Sequence, residues 1–306
     1  MKAIMYHYVR KESSEYPNFK FLHIDDFKKQ LDFFEQEYSI LHPTILLEKK
    51  VGKGVLLTFD DGVKDHIEFV LPELKKRNLS GIFYISTGIY SKNKLLDVHR
   101  LHLLLGKFGG EYIYQRMFKC INEEMLIDAH VEEFKNLTYI SQKNDEFTVL
   151  VKRMMNYFIG YQYRETVMDI LMKDLIEDEQ NLFNQFYLSE NDIRQMHDAG
   201  MMIGSHSVHH KVMSKLPLAE QENEISNSFG VLEKITGGLK TRTFCYPYGG
   251  FHTFTPDTEK LLKQYNCNYA FNVEPRDIEE SDLLNHPQAL PRYDCNLFPH
   301  GKIWKN

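Results

Sequence analysis

Short apolar runs alternate with amphipathic stretches at the start of the chain. Four such runs predict strands at residues 3–9, 39–41, 55–59 and 81–85. Apolar residues at helical spacing predict a helix over residues 27–38 and another over residues 65–77, with Pro72 as a break or kink inside the second. Strand, helix and strand in quick succession indicate a parallel sheet with crossover helices.

The middle of the chain follows a different pattern. No stretch between about residues 90 and 186 predicts a strand, and helical periodicity recurs at residues 98–105, 124–137, 146–159 and 164–176. We interpret residues 91–186 as a helical insertion that serves as a lid, a substrate platform or an oligomer contact. His99 and His102 could bind a metal, although partly exposed polar residues beside an apolar face are the commoner arrangement at this spacing.

Alternation of strands and helices returns after the insertion. Ser189 is predicted to cap a helix with Asp192 at its third position. The remaining helices are predicted at residues 217–235 and 257–265. The remaining strands are predicted at residues 201–205, 269–272 and 289–292, with one more that runs from residue 243 into a Pro- and Gly-rich turn.

Composition and charge narrow the class of protein. The 306 residues are 42% hydrophobic, enough for a large core, and 37 Lys and Arg stand interspersed with 43 Asp and Glu. This balance argues against a nucleic-acid-binding face. Four widely spaced cysteines without a Cys-x-x-Cys pair suggest reduced thiols, and the first apolar run is too short for a signal peptide or a membrane span. We therefore expect a cytoplasmic protein.

Two adjacent carboxylates end the strand at residues 55–59. Asp60 and Asp61 follow the buried run directly, and Gly62 lets the backbone turn after them. Burying carboxylates is costly without a partner, so a metal ion is one candidate ligand. A solvated Asp-Asp-Gly turn is the plainer alternative.

Histidines cluster after the strand at residues 201–205. His206 and His210 would face the same way if the backbone coiled into a helical turn, and both rings could then reach one metal ion. His209 could replace His210, but this spacing requires a different rotation. A polar segment that is rich in histidine by accident remains the alternative without function.

Three motifs in this order resemble the polysaccharide deacetylase family, carbohydrate esterase family 4. They are Thr-Phe-Asp-Asp-Gly at residues 58–62, His-Ser-Val-His-His at 206–210 and Tyr-Pro-Tyr-Gly at 246–249. The opening Met-Tyr-His-Tyr-Val at 5–9 is also similar to many members. The resemblance covers residues 1–90 and 187–295, so it predicts a barrel domain made of residues 1–90 and 187–306.

The resemblance implies a fold, a reaction and a set of roles. The fold is a distorted (β/α) barrel, and the reaction is removal of an N-acetyl group from an amino sugar by metal-activated water. Asp61, His206 and His210 would bind a divalent metal, Asp60 would be the general base, and a backbone N–H near Tyr248 would stabilise the oxyanion. Zinc suits these ligands, and iron, cobalt, nickel or manganese can occupy such sites.

This chain departs from the best-known branch of the family at two places. Cys245 stands where that branch carries the arginine that orients the catalytic aspartate, and we take Arg292 as the candidate replacement. The late Leu-x-His motif that supplies the general acid is missing. His7, which could equally be a structural residue, is the first candidate for the acid, and His286 is the reserve.

Two other functions stay open at this stage. The chain could hydrolyse another C–N bond with the same metal ligands, or it could be a catalytically silent relative that binds carbohydrate. Since no export signal is present, we expect the substrate to be a nucleotide-linked or lipid-linked amino sugar or a glycosylated small molecule, and a polymer is the alternative. Oligomerisation through the insertion is a further prediction.

Overall fold

The computed structural model describes residues 1–127, 131–139 and 144–302, and its contacts divide the chain into two compact units. Of the described residues, the first unit comprises Met1–Lys11, Phe21–Lys92 and 184–302. The second comprises Glu12–Lys20 and Asn93–Phe183. The sequence does not single out residues 12–20 as part of the second unit, and the predicted domain roles stay predictions.

The first unit is built on a parallel sheet. The strands of the described chain are β1 (Lys2–Tyr6), β2 (Val9–Arg10), β3 (Leu22–His23), β4 (Ser39–Ile40), β5 (Gly54–Phe59), β6 (Ile82–Ile85), β7 (Met202–Ser205), β8 (Thr243–Cys245), β9 (Tyr269–Phe271) and β10 (Tyr293–Asp294). Eight of them form one sheet in the order β10-β1-β5-β6-β7-β8-β9, with β4 against β5, while β2 pairs with β3. Every pairing is parallel. The curled sheet forms the distorted (β/α) barrel that the family resemblance implies.

Helices follow most strands of this sheet and fill the second unit. In chain order the described helices are α1 (Ile24–Glu37), α2 (Leu71–Lys76), α3 (Ile89–Lys92), α4 (Asp97–Phe108), α5 (Gly110–Phe118), α6 (Val131–Leu137), α7 (Glu146–Arg153), α8 (Tyr161–Leu175), α9 (Glu179–Phe186), α10 (Glu190–Asp198), α11 (Leu218–Thr236), α12 (Pro256–Gln264) and α13 (Glu280–Asn285). Within the described residues, no helix combines the length and the apolar character needed to span a bilayer.

The two faces of the sheet bury different sets of side chains. Leu57 and Phe59 of β5 pack in one cluster with Phe27 of α1, whereas Leu56 packs in another with Tyr84. Successive strand residues point to opposite faces, so this division follows from the period of two. With both faces covered, all six residues of β5 are buried, which explains the continuous apolar run in the sequence.

The helix predicted over residues 65–77 is confirmed, with a change of helix type within it. It has a π-helical turn at His66–Val70 and continues as α2, with Pro72 in the first turn of α2, where a missing N–H is tolerated. The strand predicted at residues 289–292 is wrong: Leu290 makes an isolated bridge, and the strand lies later, at β10. Pro291 has no N–H to give to a ladder, which breaks the pairing there.

The second unit is held in part by a buried arginine. Arg100 of α4 is 1% exposed, and it donates to Glu179 at 2.6 Å and to Asp169 at 2.7 Å, so it joins α4 to α8 and α9. His99 beside it is fully buried, which corrects the expected partial exposure, while His102 is half-buried. Neither histidine belongs to a group of three candidate metal ligands among the described residues.

Candidate metal centre

The turn after β5 sends two neighbouring carboxylates in different directions. The N–H of Asp60 still continues the ladder by donating to the Tyr6 carbonyl at 2.9 Å. Asp61 then takes a φ of +80° and Gly62 a φ of +66°. A positive φ is strained for a residue with a Cβ, so tight surroundings must hold Asp61 in place. Both carboxylates are buried, with exposed fractions of 1% and 2%.

Asp60 faces a guanidinium. Arg292 donates from Nη1 to Oδ1 and from Nη2 to Oδ2, both at 2.9 Å, and is itself 1% exposed. Burial raises the pKa of Asp60, but the charge of Arg292 and its hydrogen bonds, together with His206, overcome this effect and lower the pKa to about 2. Arg292 is held in turn by the hydroxyl of Thr58 at 3.1 Å and the carbonyl of Asn272 at 3.1 Å.

Asp61 faces two imidazoles instead. Its Oδ1 lies 3.5 Å from Nε2 of His206 and 3.4 Å from Nε2 of His210. One ligand atom from each of the three residues lies within 4.8 Å of the others, and all three residues are buried. The strands of a parallel sheet end at one edge, and this explains how residues so far apart in sequence meet.

The histidine that follows β7 is oriented for metal binding. Nδ1 of His206 donates to the carbonyl of Cys245 at 2.8 Å, which turns Nε2 toward Asp61. Burial, and then the neighbouring His210, lower the pKa of His206 to about 4, so its ring is neutral and its Nε2 carries a lone pair. Two imidazole nitrogens and one carboxylate oxygen fit a zinc-like divalent ion with an open coordination position.

Residues 206–210 do not form the helical turn that the sequence predicts. They are irregular, and Ser207 and His210 have φ values of +63° and +53°. The left-handed residues, rather than a helical spacing of four, bring His206 and His210 together, with ring centroids 4.7 Å apart. His209 turns away and binds Glu224, with Nδ1 2.6 Å from Oε1, so the structure places His210 beside Asp61.

The remaining predicted residues lie at different distances from this centre. Nε2 of His7, just after β1, is 4.0 Å from Oδ2 of Asp60, and its side chain is 39% exposed. The Tyr248 ring centroid is 4.9 Å from that of His210, and Tyr248 has a φ of +64° in its turn. His286 is exposed at the end of α13 and belongs to neither group of candidate ligands in the described chain. The catalytic roles of these residues stay predictions.

Two features of this site are not predicted from the sequence: its strained backbone and the buried acid Glu224. Ten non-glycine residues of the described chain have positive φ, and four of them are at this site: Asp61, Ser207, His210 and Tyr248. Single-sequence patterns carry no signal for such strain. Glu224 was also missed, although a signal exists, because it lies on the face of α11 that buries Ile225 and Phe229.

Comparison with known proteins places these observations in a family. The sequence profile described as polysaccharide deacetylase matches residues 48–270. Among solved structures, the chain is similar to Streptococcus pyogenes deacetylase PplD in complex with acetate, with a TM-score of 0.59, 16% identity and coverage of 98% of this chain and 95% of that one.

Two further solved structures share the fold. IcaB from Ammonifex degensii has a TM-score of 0.53 and 18% identity, with coverage of 96% of this chain and 90% of that one. A de-N-acetylase from Aggregatibacter actinomycetemcomitans has a TM-score of 0.52 and 14% identity, with coverage of 95% and 93%. No protein of curated function matches the chain by sequence.

Proposed function

This chain belongs to the polysaccharide deacetylase family, and we propose that it is a metal-dependent hydrolase that removes an N-acetyl group from an amino sugar. The observation that carries the proposal is the convergence of Asp61, His206 and His210 next to the ion pair of Asp60 and Arg292. Acetate in the structure of the Streptococcus pyogenes relative is the product that this reaction would release.

The metal ligands and the general base have separate tasks. A divalent ion held by Asp61, His206 and His210 would supply a nucleophilic water at neutral pH and would polarise the acetamide carbonyl. Asp60 accepts the proton that the water loses as it attacks. Arg292 fixes both oxygens of Asp60, so the carboxylate is ionised and oriented before the substrate arrives.

Proton transfer to the leaving group needs a second residue. Expelling an unprotonated amine has a very high barrier, so His7 donates a proton to the amide nitrogen as the C–N bond breaks. Because the pKa of Asp60 is about 2, the proton it has taken passes on readily. Nε2 of His7 lies 4.0 Å from Oδ2 of Asp60, close enough for a small shift to return that proton to His7.

Tyr248 completes the proposed site from the turn after β8. Its backbone N–H would donate to the oxyanion that develops on the substrate carbonyl. The contact between the Tyr248 and His210 rings supports this role, because it places the turn beside a metal ligand. Gly249 follows with a φ of +74°, and an added Cβ would lie 2.3 Å from Val273, so a larger residue would displace the turn.

The proposal extends to the identity of the metal and of the substrate. Zinc suits two histidines and an aspartate, and iron, cobalt, nickel and manganese are the alternatives that availability can favour. Whether the N-acetylated sugar is a small precursor or a polymer stays a prediction, and so does the cytoplasmic location.

Acetate release with controlled metal content tests the function. The protein is stripped with a chelator, reloaded with zinc or cobalt, and assayed on N-acetylated oligosaccharides and on N-acetylated nucleotide-linked and lipid-linked sugars. We expect stripping to abolish release and reloading to restore it with one of these substrate sets. No release from protein that holds metal would favour hydrolysis of another C–N bond. Failure to bind metal at all would favour a silent carbohydrate-binding relative.

A further inference from the structure

Residues 206–210 carry two of the three proposed metal ligands on an unfavourable backbone. Ser207 and His210 both have positive φ, which is disfavoured for residues with a Cβ. A short segment with two such residues would relax to other conformations if contacts from outside did not hold it. The contacts that hold it therefore decide whether His206 and His210 face Asp61 together.

One side of the segment is held through its carbonyl groups. The carbonyls of residues 206, 207 and 208 accept, in that order, from the hydroxyl of Ser86 at 3.0 Å, the N–H of Thr87 at 3.1 Å and the N–H of Gly88 at 2.8 Å. A Cβ on Gly88 would lie 2.7 Å from the Val208 carbonyl oxygen, so the two backbones are close together. The N–H of His206 also donates on this side, to the Ile85 carbonyl at 2.9 Å, and those of Ser207 and His210 donate to the hydroxyls of Ser205 and Ser207. The N–H groups of Val208 and His209 are satisfied from the other side.

Glu224 of α11 supplies the contacts on that other side. Its Oε2 accepts from the N–H of Val208 at 2.9 Å and from the N–H of His209 at 2.7 Å. Its Oε1 lies 2.6 Å from Nδ1 of His209. The Glu224 side chain is 6% exposed, so little water is available to replace it.

We propose that Glu224 is a positioning residue for the metal centre. An ionised carboxylate can accept all three contacts at once, which an amide or an alanine cannot do. Glu224 thereby holds the segment between α11 and residues 86–88, in the conformation that aims both imidazoles at Asp61. This inference rests on the proposed function, because it concerns the same metal ion.

Metal affinity of matched variants tests this role. Glu224→Ala removes the carboxylate, and Gln221→Ala removes another buried polar side chain of α11, whose amide binds Leu216 and Thr258 instead. Zinc dissociation constants are measured by competition with a chromogenic chelator, and folding is followed by circular dichroism and thermal unfolding. We expect Glu224→Ala to raise the dissociation constant by about 10- to 100-fold. Gln221→Ala should lower the unfolding temperature without changing the dissociation constant.

The conservative variant Glu224→Gln distinguishes a positioning role in metal binding from a general contribution to folding stability. The amide oxygen of Glu224→Gln can still accept from the two N–H groups, so its zinc affinity should lie between wild type and Glu224→Ala. Wild-type affinity in folded Glu224→Ala, or an equal loss in Gln221→Ala, would overturn the inference while leaving the proposed function intact. Absence of zinc binding in the wild type would instead overturn the proposed function, and the inference with it.

Discussion

Asp60 and Asp61 are neighbours in the sequence and are equally buried, yet their surroundings differ. Both oxygens of Asp60 accept from the guanidinium of Arg292, whereas Oδ1 of Asp61 faces the imidazoles of His206 and His210. The φ of +80° at Asp61 separates the two side chains. The comparison shows that the partner decides what a buried carboxylate can do, because residue type and burial are the same.

The two carboxylates also differ in how their negative charge is balanced. The charge of Asp60 is offset by the fixed positive charge of Arg292, so Asp60 needs no cation from solution. Burial lowers the pKa of His206 and keeps its ring neutral, so His206 does not offset the charge of Asp61 as Arg292 offsets that of Asp60. A divalent cation would compensate the charge of Asp61, whereas the ion pair of Asp60 and Arg292 is already balanced.

Replacing each aspartate by asparagine gives the largest expected effects. Asp61→Asn should lose zinc, because a neutral amide oxygen is a weaker ligand, and acetate release should fall by more than about a thousandfold. Asp60→Asn should keep its zinc while release falls by about 10²- to 10⁴-fold through loss of the base. Zinc content by mass spectrometry and acetate release, measured on the same samples, make the test.

The test depends on the difference in zinc content between Asp60→Asn and Asp61→Asn. Asp25→Asn serves as the control, since Asp25 is an exposed acid on α1 and should change neither quantity. Equal zinc loss in Asp60→Asn and Asp61→Asn would mean that both carboxylates bind the ion, and the division of roles would then be wrong.

His7→Ala should have the next largest effect, and one that depends on the leaving group. Loss of the general acid should slow hydrolysis of an N-acetyl sugar by about 10²- to 10⁴-fold, with zinc content unchanged. Hydrolysis of p-nitrophenyl acetate, whose leaving group needs no proton, should fall much less. An equal loss on both substrates would show that His7 acts in another way, and full activity on the amide would exclude it. The His286→Ala variant tests the reserve candidate and should behave as wild type.

Arg292→Met should lower the free energy of unfolding and should also shift the pH dependence of activity. Removing one partner of a buried pair costs about 3–5 kcal/mol in unfolding free energy. The folded pKa of Asp60, about 2, lies below the usual value of about 3.9. The pair therefore contributes stability that is present above about pH 4 and is lost as the pH falls toward 2. Without Arg292, burial raises the pKa of Asp60, so the acidic limb of kcat/KM should move to higher pH. An unchanged limb would contradict this coupling.

The sequence predicts the parts of this site that depend on residue type and strand order. Asp60, Asp61 and His206 each follow a strand, and a parallel sheet brings such positions to one edge. The family resemblance predicts Arg292 as the replacement for the arginine that is absent at Cys245, and Arg292 contacts Asp60. The backbone of residues 206–210 could not be predicted, because it depends on tertiary contacts: the Val208 carbonyl accepts from the N–H of Gly88, and the N–H groups of Val208 and His209 donate to Glu224.

Cys245→Ser should have the smallest effect, and it tests which of the two carboxylates binds the ion. Sγ of Cys245 lies 3.4 Å from Oδ2 of Asp60, and a second group of candidate ligands, Asp60, His206 and Cys245, overlaps the first. If the ion binds at Asp61, the serine variant keeps wild-type zinc affinity, because the contact to His206 comes from the backbone carbonyl of residue 245. Activity should change by less than about tenfold, since Arg292 still holds Asp60. Cys267→Ser controls for loss of a buried thiol. A large loss of zinc in Cys245→Ser alone would move the ion to the Asp60 side and reverse the roles of the two carboxylates.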